Sequence, residues 1–187
     1  MLKKPNKLSA DEVIVLSFIA ALYALHHYLY NFRGKLVDYN VMKLLATLLG
    51  NELVDVRLNC LNSFYNFSLD PSCVFKIASG QVISALVTIC STSTSVDMCR
   101  TLARIMRILC RHPTIATKLL EVRLICALEH IVLQASSSAA TLHFCAEAVR
   151  LLYEISDLHA ELCTQKALSL LLQLVQFSTT SITKEVN

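Results

Sequence analysis

An all-α solenoid of about four stacked repeats is the fold class that the sequence predicts, and three observations predict it. The first is a register. Leu45, Leu86, Leu128 and Leu170 are 41, 42 and 42 residues apart, and Leu36, Ile77, Leu119 and Leu162 are 41, 42 and 43 apart. Two independent apolar series with one shared period indicate a repeated structural unit, and a period of about 40–47 residues belongs to helical repeats. The second is composition: only three Gly and three Pro occur in 187 residues, too few for the turns of a sheet-rich fold. The third is burial capacity. Hydrophobic residues make up 55% and charged residues 17%, against about 45–50% and about 25% in average globular chains.

Each element follows from its stop and start signals. Ser9 and Glu12 form a capping box, which opens a helix from about Ser9 to Asn31. After Gly34 come a brief helix near Lys35 and a helix from about Asn40 to Leu49, closed at Gly50-Asn51 by a left-handed cap. A longer helix covers Leu53 to Ser68. Asp70-Pro71 stops it and starts the next, because proline suits a first helical turn. That short helix ends near Gly80, and Gln81 to Cys90 follows, then a linker Ser91 to Ser95. The cycle returns as Val96–Cys110, His112-Pro113, Thr114–Leu120, Val122–Gln134 and a linker from Ala135 to Ser138. It returns again as Ala139–Ser156, Leu158–Gln165 and Lys166–Phe177. The expected organisation is an N-terminal extension at 1–8, a helical repeat domain at 9–177 and a flexible polar tail at 178–187.

The N-terminus copies the outline of a secretory signal, with Lys3, Lys4 and Lys7 before the apolar run Val13 to Leu25. Asp11 and Glu12 interrupt that junction, no small-residue cleavage site follows, and the run is shorter than the roughly 18 apolar residues of a span. A buried first helix is expected, with no membrane partner. Eight cysteines include no C-x-x-C pair and lie in apolar helical runs. They read as reduced core fillers of an intracellular, cytoplasmic or nuclear protein. The six histidines are scattered, and no Gly-rich phosphate loop, nucleophile–base pair or metal-ligand spacing is visible. No catalytic, cofactor or metal site is therefore expected. Asn66-Phe67-Ser68 matches a glycosylation sequon, but its place at a helix end in the core argues against use.

The sequence of helices, long, short and medium, then a polar linker, resembles the armadillo repeat. The run from Asp55 to Ser68 resembles that family's third helix. Leu69-Asp70-Pro71 and Gly80 to Val87 also match its pattern. The resemblance is strongest from Asp55 to Cys90 and extends over nearly the whole chain; HEAT repeats share the period and remain an alternative. It implies a right-handed α-solenoid of three-helix repeats that serves as a non-enzymatic adaptor or scaffold. In that family the third helices line a concave face, where an Asn holds a partner's backbone and a Trp stands four residues earlier. Carried across, the Asn position falls at Asn66, Ile108 and Glu154, and the Trp position at Asn62, Arg104 and Arg150. Only Asn66 keeps the pattern and the chain has no Trp, which counts against a grip on extended peptides of the nuclear-import kind.

Charge stands there instead. Arg100, Arg104, Arg107 and Arg111 recur at steps of 4, 3 and 4, one stripe on a helix. Leu102, Ile105, Ile108 and Leu109 supply the apolar side. The stripe has no acidic residue four positions away, so it reads as uncompensated, and Arg150 is expected level with Arg104 one repeat on. Arginine forks suit carboxylates and phosphates. The expected partner is another protein that offers an acidic peptide or helix to Asn62, Asn66, Arg100, Arg104, Arg107, Arg111, Arg150 and Glu154. A net charge of +3 is too small to imply nucleic acid. The second expectation is assembly, with apolar end faces joining further copies or a larger complex. It rests on a mean hydropathy of +0.53 and on aromatics at Tyr28 to Phe32, where a solenoid cap should be polar.

Overall fold

The computed structural model describes residues 39–185. The predicted first helix, its Ser9–Glu12 box, Leu36 and the early aromatics lie outside the described residues. From Tyr39 onward the chain is helical, and no strand occurs among the described residues. The helices are α1 (Tyr39–Leu48), α2 (Val54–Ser68), α3 (Pro71–Ile77), α4 (Gly80–Thr92) and α5 (Val96–Leu109). They continue as α6 (Pro113–Glu121), α7 (Leu124–Gln134) and α8 (Ala139–Tyr153). A 3-10 turn (Ser156–Leu158), α9 (His159–Leu162) and α10 (Gln165–Glu185) complete the order.

Each of the longer helices packs on its counterpart one period away. α2 lies against α5 and α5 against α8, while α1, α4, α7 and α10 form a second row in that order. The register explains the pairing, because a 42-residue shift returns the same buried face. Leu45, Leu86, Leu128 and Leu170 are at most 1% exposed, and Ile77, Leu119 and Leu162 are 0% exposed. They join one continuous core with Phe64, Leu102, Ile105 and Leu152. Polar contacts between neighbouring helices of a row recur at a slightly shorter offset than the period. Tyr65 meets Arg104 39 residues on. Arg107 meets Glu147, and Glu129 meets Ser169, at 40.

Local chemistry sets the boundaries. Asp70 accepts the Ser72 N–H at 2.9 Å with Pro71 at the first position of α3. Ser95 and Ser138 accept from Met98 N and Thr141 N at the starts of α5 and α8. The Ser91–Ser95 linker is shorter than expected. The Ser91 and Thr92 hydroxyls donate to the Val87 and Thr88 carbonyls at 3.0 and 3.1 Å, so both residues stay in α4. Gly50 does not adopt the left-handed cap, since no described glycine has positive φ. The turn tightens through Gly50 N–H to Thr47 O and Asn51 N–H to Leu48 O, and the Asn51 side chain accepts from Leu53 N at 2.9 Å. The left-handed residue is Arg123, with φ 69° and ψ 40°, at the corner between α6 and α7. α8 stops three residues before the expected Ser156. His159 Nε2–H donates to the Tyr153 carbonyl at 2.7 Å, and Tyr153 Oη–H donates to the Leu162 carbonyl at 3.2 Å, folding α9 back over the end of α8. α10 runs past the expected end at Phe177 to Glu185.

Cys60, Cys73, Cys90, Cys99, Cys110 and Cys145 are buried, Cys126 is half-buried, Cys163 is exposed, and all eight are unbridged. Burial pushes the Cys60, Cys110 and Cys145 thiols up to about 12, and holds Cys90 well above its ordinary value. The thiolate is the reactive species. A thiol-exchange reagent should therefore modify Cys163 first in the native protein and Cys126 more slowly. The six buried cysteines should react only on unfolding. A count below eight in denaturant, restored by reductant, would reveal a bridge and overturn the reduced-core reading.

Candidate functional site

Three helices of one row, α2, α5 and α8, present the residues that the sequence singled out. Their opposite sides build the core, through Cys60, Leu61 and Phe64 on α2, Leu102, Ile105 and Leu109 on α5, and Cys145, Val149 and Leu152 on α8. The remaining faces carry the polar side chains at helical spacing.

Arg104 is the centre of the arrangement. Its guanidinium carbon lies 3.9 Å from the centre of the Tyr65 ring and 6.0 Å from that of Phe144. It also donates to the Tyr65 hydroxyl. The side chain is half-buried between α2 and α8 and has no carboxylate partner among the described residues. Asn62 and Asn66, on the same face of α2 as Tyr65, are half-buried. Neither has a side-chain hydrogen bond among the described residues, so both amides remain available.

Arg100 and Arg107 of the stripe are compensated and Arg111 has no carboxylate partner among the described residues, which corrects part of the expectation. Arg107 donates to Glu147 at 2.7 Å, with the two side chains 24% and 25% exposed, and its guanidinium lies 5.1 Å from the Phe144 ring. Arg150 is 3.6 Å from Glu147 and pairs with Glu154. Arg100 lies 3.8 Å from Asp97. A search for acids four residues away misses the Arg100 and Arg107 pairs, since Asp97 is three residues off and Glu147 is on the neighbouring helix. Arg104 faces Phe144, 40 residues on, and not Arg150, which instead shares Glu147 with Arg107. Arg111 is exposed, and Glu154 caps the end of α8. The Arg107 hydrogen bond, aided by the charges of Arg107, His143 and Arg150 and opposed by burial, holds Glu147 below its ordinary value.

Glu147 and Phe144 were not legible as site residues from local spacing. The 39–40-residue contact offset is the signal that finds Glu147, because it places an acid opposite Arg107. The described histidines make local contacts. His130 Nε2–H donates to the Ser93 carbonyl at 3.0 Å, and His112 meets the Phe75 ring edge-on at 5.5 Å. No cluster of His, Cys, Asp and Glu among the described residues could hold a metal ion. No single helix among them is long and apolar enough to cross a membrane. The apolar pair α3 and α4 is bent by 81°, and both helices bury core residues.

What the face offers is a stacked cation flanked by free amides, beside a network in which Arg107 and Arg150 are paired with Glu147 and Glu154. Such an arrangement can receive an oxyanion or a carboxylate side chain at Arg104 and hydrogen-bond a backbone at Asn62 and Asn66. No protein-family model, no curated protein and no solved structure matches this chain.

Proposed function

We propose that this chain is a right-handed, armadillo-type solenoid that acts without catalysis, as an intracellular adaptor in the cytoplasm or nucleus. The row α2–α5–α8 forms its concave face and receives an acidic peptide or helix from a partner protein. The observation that carries the reading is Arg104. A cation held between two aromatic rings, with no carboxylate of its own, is pre-organised for an incoming acid. The ion pairs of Arg107 and Arg150 orient the neighbouring strip, while apolar burial supplies most of the affinity.

The test is binding of a fluorescein-labelled heptaglutamate probe to the full chain, followed by capture of partners with the wild type and with Arg104→Glu. The variant should fold normally, bind the probe about tenfold more weakly, a difference of about 1.4 kcal/mol, and lose a set of wild-type partners. The difference should shrink as salt rises. Equal affinity in a folded variant would remove Arg104 from the mechanism.

A second reading, assembly through an apolar end, is favoured by α10. Leu168, Leu172 and Val175 are 57%, 71% and 63% exposed and share one helix face. They stand one period after Cys126, His130 and Leu133 on α7. Of these, Cys126 already meets α10, accepting from Lys166 at 3.4 Å. Light scattering separates the readings: assembly requires a stable oligomer without ligand, and Leu172→Lys should dissolve it.

A further inference from the structure

Arg57 occupies a register position that the following repeats give to the core. One period on stands Cys99 and one further Leu142, and these are 0% and 3% exposed. Arg57 is half-buried, its Nε is buried without a hydrogen-bond partner, and it belongs to none of the ion pairs among the described residues. An orphaned arginine donor in such a place calls for an acceptor that the protein itself does not provide.

The arginine lines a cavity of about 330 Å³ between the last turn of α1, α2 and the second half of α4. Leu49, Ala85 and Ile89 give it apolar walls, and Thr47, Thr88 and Thr92 add hydroxyls. Each hydroxyl already donates to a carbonyl four residues back, at 3.0, 2.8 and 3.1 Å. The threonines can therefore only accept, and the free side-chain donors belong to Arg57. One repeat on, the arrangement differs. His130, one period after Thr88, donates its ring N–H to the Ser93 carbonyl, and Cys99 replaces the arginine. Cavities also open between α4 and α7 and between α7 and α10, but among the described residues a lining with a half-buried, orphaned arginine occurs only in this repeat.

We propose that this cavity is a carboxylate-binding site. Its ligand accepts from Arg57, donates to at least one threonine and rests a small apolar group on Leu49, Ala85 and Ile89. An α-carboxylate beside an amide N–H, on a residue with an aliphatic side chain, has that chemistry. It occurs at a peptide C-terminus and in a free N-acylated amino acid. The site is separate from the Arg104 face and does not depend on its role.

Calorimetry on the full chain at pH 8 tests the assignment with N-acetyl-L-leucine, N-acetyl-L-leucinamide and acetyl-Ala-Ala-Ala-Leu. The acid should bind at least tenfold more tightly than the amide. Arg57→Leu should abolish that preference and raise Tm, because a buried orphan donor is exchanged for a side chain of the kind found one and two repeats on. Thr88→Leu, at an exposed position where folding is not at risk, should fill the cavity and remove acid binding. Tighter binding of the tetrapeptide than of acetyl-leucine identifies a peptide terminus as the source, and equal binding identifies the small acid. Equal affinity for acid and amide, no binding of either acid, or acid binding that survives Arg57→Leu or Thr88→Leu in a folded protein would overturn the proposal.

Discussion

Leu128→Ala lowers the unfolding free energy by about 2–5 kcal/mol, the range of buried leucine truncations. Leu128 is 0% exposed on α7, which packs against both α4 and α10. Truncation removes the transfer free energy of its methyl groups and leaves a cavity that helices on both sides must collapse to fill. Close packing makes that collapse incomplete. Tm should fall by about 5–15 °C, since about 1 kcal/mol moves a domain of this size by about 2–4 °C. Urea unfolding followed by circular dichroism measures the change, with the slope unaltered if the unfolded state is unchanged. Leu133→Ala serves as the control on the same helix. Leu133 is 50% exposed, and its loss should cost no more than about 0.5 kcal/mol. If the two substitutions cost the same, the assignment of the repeat register to the core fails.

Glu147→Gln weakens the junction between α5 and α8. The charge-assisted bond from Arg107 is 2.7 Å long and both side chains are about three-quarters buried. Such a bond contributes about 1–2 kcal/mol, between an exposed pair and a buried one. The substitution leaves Arg107 with a weaker acceptor, and its Nε already lacks a partner. The pH dependence has a definite sign. Arg107 holds the folded carboxyl below the ordinary 4.5, so the unfolded chain takes up the proton first on acidification. The stabilisation is therefore complete above that ordinary value and is lost as pH falls through the lower, folded one. Unfolding curves should show the variant less stable at neutral pH and the gap closing below pH 4.5. A gap that stays constant into strong acid would show that shape, not charge, accounts for the loss.

Sequence and structure agree most closely where one residue's periodicity suffices. The apolar series through Leu45 and Ile77 placed the buried faces, Asp70-Pro71 and His112-Pro113 placed two helix starts, and the low Gly and Pro content excluded sheets. Disagreements arise where a group chooses between local and distant partners. Ser91 and Thr92 look like linker, yet their hydroxyls bond back into α4. Gly50 has the composition of a left-handed cap, yet successive short hydrogen bonds and the Asn51 amide close that end, while Arg123 takes the left-handed corner.

The sequence by itself determined that the described chain is helical, where the repeating buried leucines fall, and that arginines line one face of α5, because these depend on spacing along one helix; it also read Cys126 and Cys163 as core, and the structure leaves the first half-buried and the second exposed. Only the tertiary structure decided which arginines are free. Glu147 neutralises Arg107 from a different helix, Tyr65 holds Arg104 from another, and Arg57 has no acid partner among the described residues. Charge compensation across a repeat depends on the offset between packed helices, 39–40 residues here, and that offset is a property of how the helices pack, not of the period that makes them alike.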